Sequence, residues 1–151
     1  VIKTIKLLDR QAESFGKIID DKSIRQVKND LRLISDELIE NILCTAFEGG
    51  ITYWAEHVSC KDREDMKKVG GWKHEYLTKT KLKDAVMYIH ESETGEKYPI
   101  TKQSIIDALQ KMDYPEYKYT KALGRILNET YDACDADIVV QTACFGQVIY
   151  G

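Results

Sequence analysis

The sequence predicts an α+β protein that is mainly helical and contains a small two- or three-stranded sheet. Most segments repeat apolar residues at the three- and four-residue spacing of a helix face, whereas a few short segments alternate apolar and polar residues as strands do. The chain has 151 residues, of which 43% are hydrophobic, and this is enough to bury one core. We therefore expect a single domain over residues 1–151.

The first segment, residues 1–30, predicts an amphipathic helix that is added to the rest of the domain. Its apolar residues recur at alternating intervals of three and four between Thr4 and Asp20, and they are Ile5, Leu8, Ala12, Phe15 and Ile19. This stripe could pair two copies of the chain as a homodimer. Residues 27–34 follow, and their alternating leucines and charged residues favour a strand over a short helix.

The stretch from Ser35 to Val58 predicts the central helix of the protein. Its apolar residues fall in pairs four positions apart, and polar residues fill the opposite face. Ser35 is a favourable N-cap, and Asp36 and Glu37 lie in the first turn, where the helix dipole favours negative charge. We expect the rest of the chain to pack around this helix.

Gly49 and Gly50 interrupt this helical pattern without ending it. Each glycine inside a helix costs about 1 kcal/mol relative to alanine, so another interaction should offset that cost. Three explanations are open: close approach of another helix, close approach of a ligand beside Glu48, Tyr53 and Trp54, or a break in the helix.

The middle of the chain predicts the sheet and one further helix. Residues 72–77 have the pattern of a short strand, and residues 82–89 repeat apolar residues on one helical face. Residues 97–100, which follow a glycine-containing turn, predict another strand that pairs with residues 72–77 or with the strand before the central helix.

The last third of the chain predicts three helices. Thr101 is a strong N-cap for the first, and apolar residues between positions 119 and 131 mark the second. Asp135 caps the third helix, which Gly146 ends. The β-branched run over residues 138–140 could instead be a buried strand, but the cap and the length of the segment favour a helix.

Composition narrows the class of function. The net charge of -3 argues against a protein that grips a nucleic acid backbone, and it is too weak for a DNA mimic. The sequence contains no apolar run of membrane-spanning length and no signal peptide, so we expect a cytoplasmic protein. The four cysteines form no CxxC pair, which agrees with a reducing compartment.

Catalytic motifs do not appear in the sequence, so we favour a protein that is not an enzyme and predict no metal or cofactor. A carboxylate cluster near the C-terminus could hold Mg²⁺ in a small metal-dependent hydrolase, although helix capping explains it more simply. Its members are Glu129, Asp132, Asp135 and Asp137. A partial zinc site at His57, Cys60 and His74 lacks a fourth ligand and matches no common spacing.

Two motifs resemble those of a family of small proteins that phages and prophages of Gram-positive bacteria encode. The first is the segment AFEGGITYW at residues 46–54, and the second is DADIVVQTACFGQVIYG at residues 135–151. In the family, an EGGxxYW pattern lies near the start of the chain and a DADxxxQxxxFGxxxYG pattern closes it. The resemblance covers residues 31–151 and implies no particular catalytic chemistry.

The resemblance implies an accessory binding protein that acts in the host cytoplasm, with counter-defence as its purpose. Its partner would be a host defence protein, which it inhibits, or a nucleotide-type small molecule, which it sequesters. The expected ligand- or partner-binding residues belong to the two motifs, and they are Glu48, Gly49, Gly50, Tyr53, Trp54, Gln141, Phe145 and Tyr150. The alternatives are a nucleic-acid-associated phage regulatory or structural protein and the small metal-dependent hydrolase.

The two motifs lie far apart in sequence, and the resemblance implies that the fold brings them together, because the family keeps both motifs while the segment between them varies. One form of this prediction is a core seam between two helices, in which Gln141 is buried and finds a polar partner in Glu48 or a tyrosine hydroxyl. The other form is a pocket lined by Tyr53, Trp54 and Tyr150, with Glu48 and Gln141 as its polar contacts.

Overall fold

The computed structural model describes residues 34–62, 64, 66, 72–79 and 85–151. The predicted helix over Thr4–Asp20, its homodimer contact and nearly all of the strand predicted over residues 27–34 lie outside the described residues.

The described residues form a mainly helical α+β fold with a three-stranded antiparallel sheet, as the sequence predicts. The helices are α1 (Asp36–Thr45), α2 (Tyr76–Lys79), α3 (Lys102–Met112), α4 (Thr120–Leu127) and α5 (Ala133–Phe145). The strands are β1 (Ala55–Cys60), β2 (Met87–Glu91) and β3 (Lys97–Ile100), and β2 lies in the middle of the sheet. None of the helices in the described part of the chain is long and apolar enough to span a membrane.

The central helix is shorter than predicted. Ser35 caps α1, since its hydroxyl oxygen accepts a hydrogen bond of 3.1 Å from the Leu38 amide. The helix then loosens into a π turn over Ala46–Gly50, and the chain continues as β1 instead of reaching Val58 as a helix. The prediction of one helix from Ser35 to Val58 is therefore wrong in its second half.

A bulge in β1 explains this error. The pairing of β1 with β2 shifts between Ala55 and His57, because one extra residue is inserted there. Ala55 and Val58 consequently both face the core, although they are three positions apart. A bulged strand thus presents the apolar spacing of a helix.

The elements around the other strands also differ from the prediction. The segment predicted as a strand at residues 72–77 is a 3₁₀ turn over Lys73–Glu75 followed by α2. The end of the predicted helix over residues 82–89 is β2, in which core-facing and half-buried side chains alternate. β3 forms where predicted, but its partner is β2.

The three C-terminal helices are confirmed. Thr101 caps α3 and forms a reciprocal capping box with Ser104. α5 begins three residues earlier than predicted, because Asp132 is its N-cap and Asp135 returns the hydrogen bond. Gly146, with a left-handed φ of 75°, ends α5 as expected, and residues 138–140 are helical.

Helix α5 lies at the centre of the fold. It packs against α1, the π turn, α3, α4 and β3. Neighbours on several sides explain why this helix lacks a clear polar face, since a helix that is apolar all round is a buried helix. The arrangement places the π turn after α1, which belongs to the first motif, directly against α5, which carries much of the second motif.

Candidate functional site

Gly50, in the first motif, packs closely against α5, the helix that carries much of the second motif. A Cβ atom at Gly50 would lie 2.6 Å from the Ala133 carbonyl oxygen and 3.4 Å from the Asp137 amide nitrogen, both in α5. The neighbouring Gly49 is exposed, and a Cβ there would meet no heavy atom within 4 Å. Of the three explanations for the glycine pair, Gly50 supports close packing of a second helix, and the π turn shows that the regular α-helix also ends here.

Asp137 is the acceptor on which the two motifs converge. Its carboxylate, in a residue that is only 7% exposed, accepts hydrogen bonds from the Tyr53 hydroxyl at 2.6 Å and from the Trp54 indole Nε1 at 2.8 Å. It also accepts a hydrogen bond of 2.9 Å from the Gln141 side-chain amide, one turn further along α5. The interpretation of Asp137 as part of a capping cluster is therefore wrong, and this carboxylate joins distant segments.

Gln141 hydrogen-bonds both Asp137 and the C-terminal tail at Ile149 and Tyr150. This residue is 0% exposed, and its Nε2 also lies 3.2 Å from the Tyr53 hydroxyl and 3.2 Å from the Tyr150 carbonyl oxygen. Its Oε1 accepts hydrogen bonds from the amides of Ile149 at 2.9 Å and Tyr150 at 2.8 Å. The predicted need of a buried Gln141 for polar partners is confirmed, and the tyrosine hydroxyl is one of them.

Aromatic rings surround these hydrogen bonds. The Trp54 ring stacks on Tyr150 with centroids 5.5 Å apart, and Phe145 packs against Trp54 at 5.3 Å. Tyr98, from β3, meets the edge of Phe145 at 4.7 Å. We call Tyr53, Trp54, Asp137, Gln141 and Tyr150, with their hydrogen bonds, the motif network.

The pKa of the Tyr53 hydroxyl is raised above its usual range by burial first, and then by the hydrogen bond to Asp137 and the negative charge of Asp137. The hydrogen bond with Gln141 opposes this shift only in part. The hydroxyl therefore stays protonated at neutral pH and serves as a donor to the carboxylate. A neutral donor of this kind stabilises the network.

Glu48 lies apart from the motif network. It is exposed, and its side chain interacts with Cys44, whose pKa is raised by burial and then by the charge and hydrogen bond of Glu48. Glu48 is therefore not the partner of Gln141. The sequence prediction gave this role to Glu48, but the acidic residue that binds Gln141 is Asp137. The four-residue spacing of Asp137 and Gln141 in the second motif was the available signal, since such residues share a helix face.

The other carboxylates of the predicted cluster have separate structural roles. Asp132 caps α5, and Asp135 accepts two hydrogen bonds of 2.7 Å from the Arg125 guanidinium. The Arg125 hydrogen bonds, with a smaller contribution from the Asp132 amide, hold the pKa of Asp135 below its usual range. Glu129 lies in the turn after α4 with a φ of 57°.

A metal site does not form among the described residues, which contain no group of three or more His, Cys, Asp or Glu side chains able to hold an ion. His57, one member of the partial zinc site, stacks on His90 across the sheet with ring centroids 3.8 Å apart. His90 also hydrogen-bonds Ser59 at 2.8 Å. This pair extends the packing of β1 on β2.

A shallow cavity of about 200 Å³ opens between the π turn and β1. Its lining residues are Phe47, Ile51, Thr52, Ala55, Glu56, His57, Val58 and Lys73. The motif network does not line this cavity. The Lys73 ammonium, which lines the cavity, donates a hydrogen bond of 2.7 Å to the Val58 carbonyl oxygen.

Comparison of the chain with models of known protein families, with curated proteins and with solved structures gave no match.

Proposed function

We propose that this chain is a non-enzymatic binding protein that attaches to the surface of another protein, and that its purpose is phage or prophage counter-defence by inhibiting a host defence protein in the host cytoplasm. The phage origin and the purpose rest on the resemblance of the two motifs. The choice of a protein partner over a nucleotide rests on the geometry of the motif network.

The observation that carries this choice is that the motif network satisfies itself. The Asp137 carboxylate has three donors, and every polar atom of the Gln141 side chain has at least one partner. A nucleotide pocket needs polar groups that point into an open space. Here the same groups bind each other, so they act as a specific packing contact between segments of the chain.

The cavity beside β1 supports the same choice. Pockets for small ligands usually enclose about 300–1,000 Å³ and bury most of the ligand. The cavity of about 200 Å³ is smaller than this range. The size of this cavity, in the part of the chain that the structure describes, does not favour enclosure of a nucleotide.

The surface above the motif network has the composition of a protein interface. Tyr53 is 56% exposed and Ile149 is 49% exposed, and both lie where Gln141 joins the motifs. Tyr98, Phe145 and Tyr150 are half-buried beside them. Tyrosine-rich patches with a firmly supported base are typical of surfaces that bind proteins.

Native mass spectrometry of the full chain, purified from a defence-active host, tests this proposal. We expect an added mass of protein size that survives gentle purification and is released by denaturant. An added mass of a few hundred daltons, identified as a nucleotide in the released fraction, would show that the chain sequesters a small molecule. A nucleic acid fragment as the added mass would favour the regulatory or structural alternative.

A further inference from the structure

Exposed and half-buried apolar side chains, most of them aromatic, lie around the motif network and come from both motifs and the sheet. They are Tyr53, Tyr98, Phe145, Ile149 and Tyr150, which we call the aromatic patch. Tyr98 contacts Phe145 at 4.7 Å, and the rings of Phe145 and Tyr150 lie 6.1 Å apart. The Tyr53 hydroxyl and the Ile149 backbone amide both hydrogen-bond the Gln141 side chain, which places these two residues beside the same buried group.

Two buried carboxylates lie beneath or beside this patch, and within the described residues their hydrogen-bond donors are neutral groups. Asp137 binds a hydroxyl, an indole and an amide. Glu91 is 3% exposed, and its carboxylate accepts hydrogen bonds from the hydroxyls of Thr94 and Tyr98. Within the described part of the chain, neither carboxylate forms an ion pair. Negative potential from such buried charges is screened by water less than that of surface charges.

The turn between β2 and β3 adds exposed acid to the edge of the patch. Glu93 and Glu96 lie in this turn and are exposed, and Glu96 accepts a hydrogen bond of 3.0 Å from the Tyr98 hydroxyl. Ser92, in the same turn, donates two hydrogen bonds of 2.9 Å to the Trp54 carbonyl oxygen. These contacts hold the acidic turn against the first motif.

The four carboxylates of Glu91, Glu93, Glu96 and Asp137 outnumber the lysines of the neighbouring segments, Lys97 and Lys111, whose ammonium groups keep their charge. The Lys97 ammonium lies 4.5 Å from the centre of the Tyr88 ring, and Lys97 points to the face of the sheet opposite Tyr98, because successive residues of a strand alternate faces. The Lys111 ammonium donates a hydrogen bond to the Gly146 carbonyl oxygen. The patch is thus an aromatic surface with a negative base and edge.

We propose that the aromatic patch, with Glu93 and Glu96 at its edge, docks an arginine-bearing surface of a protein partner. A guanidinium stacks on tyrosine rings and binds carboxylates through two parallel hydrogen bonds, so one side chain matches both features of the patch. A lysine ammonium is a compact and strongly hydrated charge that matches only the carboxylates. Basic surfaces of this kind occur on proteins that bind nucleic acid backbones.

This assignment rests on the proposed function, because it names the partner chemistry of the same surface. It is tested without the host by titrating the full ¹⁵N-labelled chain with a short arginine peptide and with a lysine peptide of equal charge, at physiological salt. We expect the arginine peptide to shift amide signals of the aromatic patch and of residues 91–96. We expect the lysine peptide to bind at least about fivefold more weakly at the same place.

A double variant and a matched control separate this site from general charge attraction. The double variant Glu93→Gln and Glu96→Gln should lower the affinity for the arginine peptide about fivefold or more, because two charges at the edge of the patch are lost. The Tyr98 hydroxyl keeps an acceptor in this variant. Glu116→Gln with Glu129→Gln removes the same charge from exposed residues outside the patch and should change affinity less than twofold. Equal binding of both peptides, equal effects of both double variants, or shifts that map elsewhere would each overturn the assignment.

The host complex distinguishes failure of this assignment from failure of the proposed function. If native mass spectrometry finds a protein complex that persists with Glu93→Gln and Glu96→Gln, the chain is a binding protein and the arginine assignment is wrong. If the peptide maps to the patch but the added mass from the host is a nucleotide, the assignment of a protein partner is wrong. The third outcome is a protein complex that forms with the wild-type chain and with the Glu116→Gln and Glu129→Gln control, but not with the Glu93→Gln and Glu96→Gln variant. This outcome supports the proposed function and the arginine assignment together.

Discussion

The adjacent glycines of the first motif allow one packing contact to be tested against a control next to it. Alanine at Gly50 would place Cβ 2.6 Å from the Ala133 carbonyl oxygen, closer than real Cβ contacts allow. That oxygen belongs to the first turn of α5, and backbone in the central helix cannot swing aside as the end of a side chain can. Alanine at Gly49 meets no heavy atom within 4 Å.

The structure sets the size of the expected difference. Overpacking of a closely packed site costs about 1–3 kcal/mol of unfolding free energy. Both substitutions gain about 0.4–1 kcal/mol, because alanine restricts the unfolded chain more than glycine does. Gly49→Ala is therefore expected to be neutral or slightly stabilising, and Gly50→Ala should unfold about 1–3 kcal/mol more easily than Gly49→Ala.

Urea unfolding monitored by circular dichroism measures this difference, provided that the dependence on urea has the same slope in both variants. A difference of 1 kcal/mol corresponds to about 2–4 °C in melting temperature for a chain of this size. If Gly50→Ala and Gly49→Ala are equally stable, the π turn does not pack on α5 as described, and the explanation of the first motif by close packing fails.

Three further predictions concern the carboxylates. Asp137→Asn should lower the unfolding free energy by about 1–3 kcal/mol in a urea titration, because an amide nitrogen would face the donors of Tyr53 and Trp54. Addition of Mg²⁺ should leave the melting temperature of the wild-type chain unchanged, whereas a rise of several degrees would revive the hydrolase alternative. The ion pair of Asp135 with Arg125 should contribute stability above the ordinary carboxyl pKa of 3.8 and lose it as the pH falls towards the lower folded pKa. Arg125→Gln should therefore make the loss of stability between about pH 5 and pH 3 shallower, and an unchanged slope would contradict this account.

Local signals in the sequence were reliable where a single turn of chain decides the structure. The N-caps at Ser35 and Thr101 and the left-handed end of α5 at Gly146 were all predicted from residue type. Each depends on hydrogen bonds or backbone angles within three or four residues. The prediction placed the N-cap of α5 at Asp135 instead of Asp132, because both residues take part in its capping box.

The sheet was harder to predict, because its pattern depends on pairing. The buried residues of β1 have the spacing of a helix because of the bulge between Ala55 and His57. Only the register of β1 with β2 reveals this bulge. β2 alternates correctly, but its apolar residues also continue the helical spacing of the segment before it. Short apolar runs of this kind satisfy both periods, and tertiary contacts decide between them.

The candidate site was predicted in part. The meeting of the two motifs was expected from the resemblance, and the burial of Gln141 from its place on an otherwise apolar helix, whereas the role of Asp137 was not expected. An acidic residue near a helix start has an adequate local explanation, so nothing near it in sequence shows that Tyr53 and Trp54 bind it from more than eighty positions away. Glu48 was chosen because it adjoins the glycine pair, but the π turn leaves its side chain beside Cys44.

Substitution of Gln141 by alanine tests most directly whether the two motifs form a packing contact or a ligand pocket. Gln141 is fully buried, and its loss would leave the Ile149 and Tyr150 amides and one Asp137 oxygen with fewer partners. We predict that Gln141→Ala lowers the unfolding free energy by about 2–4 kcal/mol, since each buried polar group without a partner costs about 1–3 kcal/mol. A variant that keeps wild-type stability in urea but no longer retains its partner or ligand would contradict the account and identify the motif network as a binding pocket.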